Sequence, residues 1–205
     1  MLSTLTHMTI AQIVTLIGYP GICIAVFAES GIPIGFFLPG SSMIFTAGLL
    51  ASQGFFNIWV LTILITAAAI LGDNVGYWFG AYIGPSLFAR KDSRFFKQRY
   101  LTEAHAFYEK YGKQAIILAR FIPVVRTFAP IVAGIAGMRY RTFFVYNIVG
   151  GLLWAAGTCL AGYFLGRNIP GISSYVTPIA LLIVVITTAP VIWKFYKSHR
   201  RALRV

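Results

Sequence analysis

Arg120 and Arg126 stand inside a stretch, ARFIPVVRTFAPIVAG (119–134), that is otherwise apolar and is cut by Pro123 and Pro130. The first half of the chain carries opposite charges in a similar setting, Glu29 and Asp73. A central Asp or Arg costs about 2.5–3.5 kcal/mol on membrane-insertion scales, so such residues face a protein interior or a cavity and find partners. On one continuous helix, side chains six residues apart would point about 240 degrees apart. With the helix broken at Pro123 and Pro130, both guanidiniums can converge while the break frees backbone N–H groups at the same depth. Converging Arg forks beside unpaired amides suit a phosphate, and Thr127 joins them as a candidate phosphate contact.

The acids have a different task. A desolvated carboxylate keeps its proton unless a cation stabilises the charge, so Glu29 or Asp73 can gain or lose one as an anionic ligand competes for the arginines. The plainer reading is a pair of buried salt bridges that fix the chain against its neighbours. That reading leaves the breaks beside both arginines, about 3 kcal/mol for an interior Pro, without a purpose. For Asp73, a structural role beside Asn74 stands as an alternative; Glu29, directly before SGIPIGFFLPGSS, sits at a hairpin mouth and is the functional candidate.

These residues need elements to hold them, and composition says which kind. Of 205 residues, 58% are hydrophobic and only 11% charged, a balance outside that of water-soluble domains. The chain reads as a single all-α membrane domain, residues 1–205. Apolar stretches run roughly over 8–28, 41–51, 57–89, 115–138, 142–166 and 174–196. A spanning helix needs about 20 such residues, so four are long enough to cross and two look interrupted. No cleavable signal peptide is expected, because the first Lys or Arg is Arg90.

Two halves of the chain resemble each other. Ile32-Pro33 matches Ile122-Pro123, Ala47-Gly48 matches Ala136-Gly137, Phe55-Phe56 matches Phe143-Phe144, and GYWFG (76–80) matches GYFLG (162–166), at offsets of 90, 89, 88 and 86. The expected plan is repeat one over about 29–89, a linker over about 90–113, repeat two over about 115–166 and a last spanning helix over about 174–196. The basic residues lie mainly in two blocks, 90–113 and 194–204. If 115–138 crossed fully, Arg139, Arg141 and the C-terminal cluster would all fall outside, against the positive-inside rule. If it enters and returns on one face, every basic cluster is cytoplasmic. The same logic makes 30–51 a hairpin from the opposite face, with Pro33 and Pro39 as its breaks. Four spanning helices and two opposed re-entrant hairpins then form an inverted repeat, with both termini cytoplasmic.

The formal charge of +12 therefore reads as topology and contact with anionic lipid headgroups, not as nucleic-acid binding. Residues 93–112 place aromatic residues at helical spacing among lysines and arginines, which predicts an amphipathic interfacial helix. Gly76, Gly80, Gly162 and Gly166 are expected to let helices approach closely. Cys23 and Cys159 lie within apolar segments and read as packing residues. His7, His105 and His199 have no partner at ligand spacing, so no metal and no cofactor is expected.

FYEKYGKQAIILARFIPVVRTFAPIVAGIAGM (107–138), FAESGIPIGFFLPGSS (27–42) and GDNVGYWFGAYIG (72–84) resemble the DedA family of bacterial membrane proteins, whose shared core is the VTT domain. The resemblance covers about residues 10–196. It implies two opposed re-entrant hairpins, a place in the bacterial inner membrane, and a transporter or flippase for lipids that depends on the proton motive force. It further implies recycling of undecaprenyl phosphate, or movement of phospholipids, with Glu29, Arg120 and Arg126 as the functional residues. One position departs: Ser41, in LPGSS, stands where many members carry Asp, which leaves Asp73 as the candidate second acid.

A lipid-phosphate transporter is thus the leading expectation. A proton- or cation-coupled antiporter without a lipid substrate shares the same acids. An enzyme acting on lipid phosphates would need a nucleophile or a metal-bound water that the sequence does not offer, so none is expected. The oligomeric state is left open, a homo-oligomer included.

Overall fold

The computed structural model describes residues 10–32, 40–88, 111 and 114–169. Pro33, Pro39, the C-terminal segment 174–196, the three histidines and, apart from Tyr111, nearly all of the expected amphipathic helix lie outside them. The described residues form helices and turns without a strand: α1 (Ile10–Gly31), α2 (Gly40–Ser52), α3 (Ile58–Phe88), α4 (Gln114–Ala119), α5 (Pro123–Ile135), α6 (Tyr140–Gly151) and α7 (Gly157–Asn168). A π-helical turn, Leu152–Ala156, joins α6 to α7 in one unbroken rod.

Local chemistry sets these boundaries. α1 kinks at Gly18, whose φ of 58° and ψ of −160° suit glycine, two residues before Pro20. Asn57 starts α3: its side-chain oxygen accepts from the N–H groups of Trp59 (3.0 Å) and Val60 (3.2 Å). The break in the second half falls at residues 120–122. Pro123 pushes Ile122 into extended backbone (φ −109°, ψ 109°) and then serves as the first residue of α5.

Pro130 is a correction. It was expected to break the helix, yet α5 runs through it to Ile135. Its ring packs against α3 at Gly76, and the lost backbone bond is tolerated where neighbouring helices enclose the segment. α5 ends instead at Gly137, whose φ of +66° turns the chain toward α6.

The rods Ile58–Gly84 and Tyr140–Asn168 are the two described helices long and apolar enough to cross a bilayer. Their outward faces carry Trp59, Ile63, Trp78, Phe79, Val145 and Phe164, each at least half exposed. Such a shell suits a lipid exterior, not water. Ile22, Val26, Ile44, Leu61, Ile65 and Cys159 fill one core; Tyr77, Ile116, Ala133 and Phe143 fill a second.

The packing exchanges the two halves. α2 of the first half lies along α7 of the second, and α5 of the second lies along α3 of the first. A Cβ on Gly162 would meet the Phe45 carbonyl, and one on Gly80 would meet the Ile131 carbonyl. Gly166 packs on Ser52 as Gly84 packs on Ile135. The long helices recur 82 residues apart, Ile58 answering Tyr140, whereas the short helices recur 86 apart by their contacts: Phe45 answers Ile131, and Gly48, against the Cys159 carbonyl, answers Gly134, against the Tyr77 carbonyl. The motif match of GYWFG (76–80) with GYFLG (162–166), at an offset of 86, is therefore one helical turn off for the long helices. Gly80 corresponds to Gly162, and Gly84 to Gly166. Gly48, in mid-helix against Cys159, is no counterpart of Gly137.

Candidate functional site

Arg126 lies on the second turn of α5 and reaches into the first half. Its Nη2 donates to the Glu29 carboxylate, and its Nη1 donates to Ser41 Oγ at 2.9 Å. The Trp154 ring, carried by the π-helical turn, covers the other side with its centroid 4.5 Å from Cζ. Glu29, near the end of α1, is buried; its second oxygen has no hydrogen-bond partner and lies against Gly40, where a Cβ would overlap the carboxylate. Gly40 is thus the space Glu29 needs.

Arg120 sits at the break itself. Its Nη2 donates to Asp73 of α3 and to Asn147 Oδ1 of α6. Side chains at Gly150 would strike the Arg120 stem, so the Gly150-Gly151 pair lets the guanidinium pass against α6. Arg120, Asp73 and Asn147 are all buried, and Arg120 Nε has no partner. Asn147 Nδ2 donates to the Ile70 carbonyl (3.2 Å), which also accepts from Asn74 Nδ2 (2.7 Å). The Tyr140 hydroxyl completes this chain by donating to Asn74 Oδ1 at 3.1 Å.

Each arginine therefore meets its own acid, and both bridges join the two halves. The two sites are neighbours. Arg120 passes Gly151 and Arg126 faces Trp154, about one turn along the same rod. On the other side, Gly31, two residues past Glu29, packs on Gly72, next to Asp73. The arginines share no partner among the described contacts, so the convergence expected on one ligand is replaced here by two adjacent ion pairs. Thr127 is buried beside Arg126. Ile122, the N-cap residue before α5, makes no side-chain capping bond.

Sequence reasoning missed Asn147, Trp154 and the Gly150-Gly151 pair. Asn147 had a signal: it is a strongly polar side chain in an apolar spanning stretch, the same argument that singled out the four charges. Trp154 had none, because a tryptophan in a membrane helix is common.

This arrangement, an all-helical membrane domain with charged residues paired inside it, agrees with what the chain is similar to. The VTT domain model matches residues 38–164. An uncharacterized membrane protein of Mycobacterium leprae is 45% identical over 90% of this chain and 84% of its own length. Protein DedA of Escherichia coli is 41% identical, covering 91% of this chain and 85% of the relative. The inner membrane protein YqjA of the same species is 32% identical over 71% of this chain and 66% of its own. The chain belongs to the DedA family of membrane proteins and carries its VTT domain. No solved structure matches it.

Proposed function

We propose that the protein carries a phosphate-bearing lipid across the bacterial inner membrane, with undecaprenyl phosphate the first substrate and a phospholipid the second. Arg120 and Arg126 bind the phosphate, Thr127 lies beside them, and Glu29 and Asp73 are the carboxylates that yield the arginines and take up protons. The observation that carries this reading is that both membrane arginines are held by acids of the opposite half. A phosphate monoester with close to two negative charges can replace the two carboxylates without changing the charge held by the arginines. The displaced acids, left in a medium of low polarity, then take protons, which couples lipid movement to the proton gradient. The lipid tail stays in the bilayer throughout. The reading is transport and not catalysis.

The same proposal includes the membrane arrangement. α2 and α5, 13 residues each, reach about 20 Å, short of a hydrocarbon core of about 30 Å. Their packing on long helices of the opposite half supports two re-entrant hairpins from opposite faces. Four helices then span the membrane and both termini are cytoplasmic. Basic stretches touch anionic headgroups, and a homo-oligomer is compatible with this arrangement.

Mass spectrometry of lipid that co-purifies with the protein tests the substrate class. A phosphate-headgroup lipid should accompany the wild type and be lost from Arg126→Gln. Proton or cation flux in vesicles that hold no such lipid would favour the antiporter instead.

A further inference from the structure

Resting on the transport reading above, the geometry points to Asn147 as the positioning residue that keeps Arg120 in place when Asp73 leaves it. Asn147 is fully buried. Its orientation is fixed by its neighbours. A guanidinium can only donate, so the atom facing Arg120 is the amide oxygen; the Ile70 carbonyl can only accept, so the atom facing it is the amide nitrogen. One nitrogen of Arg120 thus serves two acceptors, a carboxylate that titrates and an amide that does not.

This division has a mechanical consequence. When Asp73 is protonated or displaced, a guanidinium held only by that acid would be free to swing with its three-carbon stem. Asn147 retains one nitrogen at a constant position, and Gly150 and Gly151 confine the stem. The charge is then presented to an incoming anion without a search through rotamers. Because the amide is neutral, it orients the guanidinium without competing for its charge. The Ile70 carbonyl and Asn74, itself bound by Tyr140, support the amide from behind.

Two measurements test this. The first needs no substrate. Asp73→Asn should lower the melting temperature of the purified protein in detergent, and adding Asn147→Asp should restore part of the loss, because the relocated carboxylate meets the same nitrogen while the Ile70 carbonyl, which loses the Asn147 donor, keeps that of Asn74. A double variant no more stable than Asp73→Asn overturns the proposal. The second follows movement of polyprenyl phosphate in proteoliposomes. Asn147→Asp alone places a competing charge on Arg120. It should raise the half-saturating lipid fraction about tenfold, with the maximal rate within about twofold of wild type. The penalty should shrink as the pH is lowered and the new carboxylate is protonated. A loss of maximal rate alone, with unchanged half-saturation and pH profile, indicates a merely structural residue and overturns the proposal. If the wild type moves no lipid, the transport reading fails, and the stability rescue still decides whether Asn147 and Asp73 share the arginine.

Discussion

Arg126 of the second half closes on Glu29 of the first across 97 residues of chain, so the ion pair is also a tie between the halves. Breaking a buried pair by removing one partner costs about 3–5 kcal/mol, because the other charge stays buried and uncompensated. Glu29→Gln and Arg126→Gln should each destabilise the protein by that amount. The double variant should fall short of the sum by about 0.5–3 kcal/mol, the coupling expected of residues in contact. Unfolding in detergent measures all three.

Gly40 makes room for the Glu29 carboxylate. Gly40→Ala keeps every charge in the sequence but puts a methyl group where the acid lies. It should reduce transport about as strongly as Glu29→Gln, whereas a substitution that merely altered α2 helix propensity would change stability by about 1 kcal/mol and leave transport intact. Rates of both variants in the same vesicles make the comparison.

Gly80 and Gly162 each admit a backbone carbonyl of the other half, and Gly157 in the same rod as Gly162 has open space around it. Gly80→Ala and Gly162→Ala should each cost about 1–3 kcal/mol through overpacking. Gly157→Ala should be neutral or stabilising by about 0.5–1 kcal/mol, the ordinary helix preference for alanine. Melting temperatures in detergent should separate the two classes.

The glycines also show how far the sequence could be read. The long apolar runs marked α3 and the rod from Tyr140 to Asn168, and Pro123 marked the break, since hydropathy and proline chemistry act locally. The repeat was visible, but its register was not. Glycines recur every four residues at Gly76, Gly80 and Gly84, so a shift by one turn still sets glycine against glycine. The opposing carbonyls decide the register: Gly80 meets Ile131 and Gly162 meets Phe45, so glycines 82 residues apart face short-helix residues 86 apart. Pro130 misled for a related reason: a proline breaks a lone helix, whereas an enclosed one can be carried through. The four charges stood out by their expense in lipid, but which acid meets which arginine depends on packing between distant halves.

Membrane orientation is testable apart from function. With Cys23 and Cys159 replaced, Arg139→Cys should react with an impermeant thiol reagent only from the cytoplasmic face, and Asn168→Cys only from the opposite face. Labelling of both from one side would rule out the re-entrant arrangement.

In the proposed transport cycle the paired arginines exchange their carboxylates for a lipid phosphate. The most direct measurement of this exchange is transbilayer movement of polyprenyl phosphate in proteoliposomes under a proton gradient. Wild type should move the lipid, and Arg120→Gln and Arg126→Gln should each slow it about tenfold or more, as expected when a charge-assisted contact to the substrate is lost. Equal rates for wild type and both arginine variants would contradict this exchange.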